Sequence, residues 1–388
     1  MVTQELVEYV ADIRHRLHQN PELSMQEYAT TELVCAELQK MGLEVTRWDD
    51  MTGAVGLIRG GAPGPTIAFR ADMDALPLEE QSGSAYSSRN KGVMHACAHD
   101  GHTALLLGLA RYFAPRRSEI AGNIKFIFQP GEEVPPGGAI QMIRRGVLEN
   151  PKVDAVFALH HATENRTGDI GVRSGAFLAG AASFTLRLKV KGGGGSAPHK
   201  GVDGIMLAAE VLTAIEVEMT RRIDPVKPGL ISFGTIQGGT AFNILANEVT
   251  ITGTARCFEP ETDALIPELI QDVATSIVQR SGGEAELDYQ RGYPGVVNDQ
   301  RMTDLVRRAA VKALGAEHVQ EATPLMAGDD MAYFLQQVPG SYYWWGITPE
   351  SGMIAPAHTP RFDFDENAFV TALKVNVEIV RMALEELA

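Results

Sequence analysis

Three short apolar runs in the first 160 residues each end in side chains that can bind a cation or move a proton. Residues 66–69 run into Arg70-Ala-Asp72-Met-Asp74, residues 124–128 into Gln129-Pro-Gly-Glu132-Glu133, and residues 153–159 into His160-His161. Runs this short and continuously apolar read as strands buried on both faces. Segments with helical spacing, near 103–113 and 138–146, lie between them. Alternating strand and helix imply an α/β layer with a largely parallel sheet. Ligands bind such sheets outside the carboxyl ends of the strands. The chain therefore predicts a site at one sheet edge before any residue role is assigned.

A second feature points to the same edge. His95-Ala-Cys97-Ala-His99-Asp100-Gly-His102 packs three imidazoles, a thiol and a carboxylate into eight positions at the entry of an apolar helix. Borderline metals favour thiolate and imidazole together, which nominates Cys97 and His99. The plainer readings are a polar loop with incidental histidines, or a closed four-ligand structural zinc. In Glu132-Glu133 the preceding Pro-Gly turn lets both carboxylates serve one site, one binding metal and the other acting as general base. His358, between Pro356 and Pro360, is a further candidate ligand. Asp72 and Asp74 could bind directly or orient an imidazole. Asp329-Asp330 could instead cap a helix.

From about residue 181 the strand and helix order becomes β-α-β-β-α-β, that of a ferredoxin-like module. The first pattern resumes after Pro294. We therefore expect a catalytic domain in two parts, 1–180 and 292–388, with an inserted domain over 181–291. A net charge of -15 argues against nucleic acid and anionic membrane surfaces as partners. No apolar run is long enough to span a bilayer. Three separated cysteines (Cys35, Cys97 and Cys257) suggest a reducing compartment without a disulfide framework. The opening residues lack the basic and apolar stretches of a secretory leader. A cytoplasmic location is expected.

These motifs, with His18-Gln-Asn-Pro-Glu-Leu23, Gly239-Thr-Ala-Phe-Asn243 and His358-Thr-Pro-Arg-Phe-Asp-Phe-Asp365, stand in an order that resembles the amidohydrolase branch of the aminoacylase and carboxypeptidase metallopeptidases. That branch includes hippurate hydrolases, N-acyl-amino-acid amidohydrolases and auxin-conjugate hydrolases. The resemblance implies a three-layer zinc-peptidase-like α/β domain with an inserted α+β lid or dimerisation domain, and a homodimer. It implies two divalent ions per chain (zinc or manganese, with cobalt or nickel as alternatives) on Cys97, His99, Glu133, His160 and His358. Glu132 would be the general base and Asp74 a supporting residue. Asn243 and Arg256 would meet the substrate, an N-acyl amino acid or a small peptide-like amide. Relatives carry a lid histidine that reaches the reacting carbonyl across the dimer; this chain has Gly194 there, with His199 as a candidate substitute. Two functions follow: an amidohydrolase, or a metal-bound, catalytically weak binder of N-acyl amino acids.

Overall fold

The computed structural model describes residues 1–388, which divide into two compact units. The first holds Met1–Phe177, Val297–Thr323 and Asp330–Ala388; the second holds Leu178–Val296 and Pro324–Asp329.

The first unit is built on an eight-stranded sheet in the spatial order Glu44–Arg47, Ala54–Arg59, Ala121–Gln129, Ala62–Asp72, Ala155–Arg166, Gly340–Thr348, Ile170–Val172, Val319–Glu321. The four strands from Ala121–Gln129 to Gly340–Thr348 are mutually parallel, so their carboxyl ends share one edge. Alternation along the strands separates two covered faces. Phe126, Phe157 and Tyr343 join the core built with helices Gln4–His18, His99–Phe113 and Ala368–Glu386. Lys125 serves the other face, donating to the carbonyls of Val147 and Glu149 at 2.8 Å and of Pro151 at 3.0 Å. Helix His99–Phe113 is buried almost all round, in keeping with its apolar run from Ala104 to Ala110. Gly108 permits that burial. A Cβ there would lie 2.4 Å from Val10 Cγ2 and 3.2 Å from Leu373 Cδ2.

The second unit has a four-stranded antiparallel sheet in the order Gly229–Gly238, Glu248–Cys257, Gly180–Lys189, Glu284–Arg291. Helices Gly204–Arg222 and Pro260–Gln279 cover it through Val211, Ile215, Ile266 and Leu269, packed on Leu186, Leu188 and Ile251. This is the ferredoxin-like strand order. Asp203 starts the first helix by accepting from the N–H groups of Ile205 (3.0 Å) and Met206 (3.2 Å).

Helix Tyr28–Lys40 begins where the Glu22 carboxylate caps the N–H groups of Ala29 and Thr30, and Ser24 ahead of it donates to Asp74. The segment Ala62-Pro-Gly-Pro65 supplies the first residues of strand Ala62–Asp72, with the register broken between Ala62 and Thr66. Pro324–Asp329 joins the second unit rather than the last segment: Ala179 N–H donates to the Leu325 carbonyl at 3.0 Å.

Candidate metal centre and active site

Backbone geometry brings the nominated residues together. Cys97 and His99 flank Ala98, which adopts the left-handed conformation (φ 55, ψ 18) at the helix start. An alanine held there costs about 1–2 kcal/mol, a strain that turns thiol and imidazole toward the same edge. His358 is also left-handed (φ 61), and its N–H donates to the Ala96 carbonyl at 2.8 Å. The far end of the chain is thus fastened beside Cys97. The acidic turn is fixed from below. Glu27 accepts from Gly131 N–H (2.8 Å), and Asp74 accepts from Glu133 N–H (2.9 Å) and from the Ser24 hydroxyl (2.6 Å). Asp74 also orients His99, whose Nδ1 lies 2.9 Å from the Asp74 carbonyl and 3.2 Å from its carboxylate.

The resulting donor atoms form overlapping groups. Cys97, Glu133 and His358 lie within 4.8 Å of one another, as do His99, Glu132 and Glu133, and Cys97, His160 and His161. Glu133 belongs to two of these groups and Cys97 to two. His358 Nε2 is 3.3 Å from Glu133 Oε1, and His99 Nε2 is 4.0 Å from Glu132 Oε2. His99 Nε2 is buried without a hydrogen-bond partner, as a ring nitrogen reserved for a cation would be. Hydrogen bonding to Cys97 and then to Glu133 pushes the His358 imidazole up to about 10, so this corner favours positive charge even though burial raises the Cys97 thiol. A divalent ion meets the same electrostatic demand. Burial and the neighbouring imidazoles hold His160 and His161 well below the usual histidine range, leaving them neutral and able to donate a lone pair. The donor set therefore fits metal.

Asp72 joins a further group with His99, His102 and His160 within the same 4.8 Å, and the remaining nominated residues are held by protein partners or lie in the second unit. Asp72 is tied to Arg70 (2.6 Å) and to His102 Nδ1 (2.6 Å). His102 spends its other nitrogen accepting the His161 N–H at 3.2 Å, so it supports the site. Asp330 caps a different helix from the one that follows it, accepting from Ala139 N–H at 3.0 Å and from Arg70 and Gln129 at 2.8 Å. Asn243, Arg256 and His199 lie in the second unit. There Arg256 is half-buried on strand Glu248–Cys257, while Asn243 and His199 are exposed. The sequence places His160-His161 at the strand end and the resemblance gives a role to His160 alone, whereas the structure sets both Nε2 atoms 3.6 Å from Cys97 Sγ.

Helix Gln4–His18 anchors the two segments that carry His99 and His358. Arg14, fully buried, donates to Asp100 (3.2 Å), Glu366 (2.8 Å), Tyr86 (3.2 Å) and Asp363. Asp100 follows His99, and Asp363 and Glu366 follow His358. His18 completes the network with Nδ1 2.7 Å from Asp100 and Nε2 3.3 Å from Glu80. Burial alone would lower the His18 pKa, but Asp100 outweighs it and carries the group from 6.5 up to about 9. A folded value above the unfolded one means that the stabilisation is complete below the unfolded pKa and is lost as pH rises through the folded one. Wild-type protein should lose about 2–3 kcal/mol from this group between about pH 6 and about pH 10. Urea unfolding at both pH values should show a flatter dependence for His18→Gln; equal slopes would refute the assignment.

A parallel sheet whose carboxyl edge gathers cation-seeking donors beside a carboxylate pair defines a metal-dependent hydrolase. The chain belongs to Peptidase family M20/M25/M40, which it matches over residues 68–382. It is 39% identical to thermostable carboxypeptidase 2 of Saccharolobus solfataricus, over 94% of this chain and 92% of that protein. It is 36% identical to N-acetyl-L-cysteine deacetylase of Bacillus subtilis, over 93% and 84%. A solved Bacillus subtilis structure, described as a dinuclear metal-binding peptidase of the M20 family, superimposes with a TM-score of 0.86 at 32% identity, covering 99% of both chains.

Proposed function

We propose that this chain hydrolyses the amide bond of N-acyl amino acids or small peptide-like amides. Two divalent ions would be held by Cys97, His99, Glu133, His160 and His358. The observation that carries this reading is the sharing of Glu133 and Cys97 between overlapping donor groups, which suits two adjacent ions and disfavours one closed structural site. Such ions supply Lewis acidity toward the scissile carbonyl and toward water. The chain supplies positioning and proton transfer. Asp74 fixes both the His99 ring and the backbone of Glu133, so the carboxylate of Glu132 is presented beside His99. Glu132 takes the proton of the attacking water and returns it to the amide nitrogen as the C–N bond breaks. Arg256 is assigned to the substrate carboxylate, with Asn243 and His199 as further substrate contacts.

Thiolate with imidazole favours zinc, and the carboxylates admit manganese, cobalt or nickel. The relatives are named for hydrolysis, which favours a working enzyme over a weak binder. A homodimer is supported by the second unit, where Ile205, Met206 and Val217 of helix Gly204–Arg222 and Ile236 of an edge strand are exposed. A monomer in sedimentation at working concentration would count against it. Three unbridged, buried cysteines support a cytoplasmic location, and no helix is long and apolar enough to cross a membrane.

The test strips the protein with chelator, restores each metal singly and assays acetyl, benzoyl and indole-acetyl amino acids. Hydrolysis should disappear on stripping and return with about two ions per chain. Full activity in the stripped protein would overturn the proposal.

A further inference from the structure

His161 Nε2 stands 3.6 Å from Cys97 Sγ, the same distance as His160 Nε2. The two imidazoles differ in what the other nitrogen does. A metal-binding histidine almost always donates its second N–H to an acceptor, which fixes the tautomer and turns the bare nitrogen to the ion. His160 Nδ1 has such an acceptor in the His161 carbonyl (3.0 Å), and His99 Nδ1 has Asp74. His161 Nδ1 is buried and has no partner. A proton placed there would be a buried donor without an acceptor, at a cost of about 1–3 kcal/mol. The proton therefore belongs on Nε2, aimed at sulfur. The ring is also held in place. It packs against Phe362 (centroids 5.3 Å apart) and His102 (6.0 Å), and the His161 backbone N–H donates to His102 Nε2.

We infer that His161 is a positioning residue for Cys97, donating an Nε2–H hydrogen bond to the thiolate instead of binding metal itself. This rests on the proposed metal centre with Cys97 as a ligand. The bond occupies a sulfur lone pair, fixes the Cys97 rotamer and withdraws electron density from sulfur. Sulfur then donates less charge to the ion, and a site containing thiolate stays compatible with the harder carboxylate ligand Glu133.

Cobalt(II) alone is the probe, because a cysteine thiolate bound to it gives a sulfur-to-cobalt charge-transfer band. Wild type, His161→Gln (which keeps a donor near the Nε2 position) and His161→Leu (which removes it) are stripped and loaded with cobalt. Bound metal is counted by elemental analysis and folding is checked by circular dichroism. All three should bind the same number of ions. His161→Gln should keep the wild-type band, and His161→Leu should shift it to lower energy. If the leucine variant does not fold, His161→Phe, an aromatic ring against Phe362, takes its place. Loss of one ion in the donor-free variant would make His161 a ligand and overturn the inference; so would an unshifted band. A wild-type protein that binds cobalt without any thiolate band would overturn Cys97 as a ligand, and the inference with it. Wild type that binds no cobalt would reject the metal centre itself.

Discussion

Glu132→Gln should lower the turnover of a good N-acyl amino acid substrate by about 10²–10⁴-fold, the usual contribution of a positioned acid–base group. Its bound metal and its folding stability should stay close to wild type. The substitution keeps the shape and the hydrogen-bonding capacity of the side chain but removes the proton acceptor. Glu132 is buried beside Glu133, whose backbone is held by Asp74, so the amide can occupy the same place. Glu133→Gln should behave differently, losing metal as well as rate. Metal counts and single-turnover rates on both variants separate the two roles. Undiminished hydrolysis by metal-loaded Glu132→Gln would remove the proton-transfer assignment.

Gly194→His should raise turnover, by about a hundredfold if the imidazole serves as an oxyanion donor. The family resemblance implies a histidine at this position, and a Cβ built on Gly194 meets nothing within 4 Å. Gly194 pairs with Ile244 in a short antiparallel ladder, so a side chain can be added without changing the pairing. Gly194→Ala fills the same space without a donor and should leave the rate where it was. If the histidine variant gains nothing over the alanine variant, another group already stabilises the oxyanion. His199→Ala in the wild-type background then asks whether that group is His199.

The two carboxylates and the donor cluster were legible because their chemistry is local. Cys97 and His99 are two residues apart, Glu132 and Glu133 are adjacent, and each motif closes a strand or opens a helix whose period is visible in the chain. Parallel strands deliver their ends to one edge, so the meeting of these motifs also followed from pattern. Arg14 and Asp74 were harder to weigh. Nothing near Arg14 in sequence indicates that one guanidinium joins Asp100 to Glu366, since the partners are 86 and 352 residues away. Asp74 was nominated, but its simultaneous hold on Ser24, His99 and the Glu133 backbone appears only once the chain is folded.

The sequence by itself determined the α/β class, the edge at which chemistry gathers and the residue types available there, because periodicity and strand-end composition are properties of neighbouring residues. Only the tertiary structure decided which nitrogen of each histidine is free. His99, His102, His160 and His161 are chemically identical in the sequence. Their roles separate through the second ring nitrogen, which meets Asp74, Asp72, a backbone carbonyl or nothing. Those partners are fixed by packing between distant segments, and a buried proton goes where an acceptor can receive it.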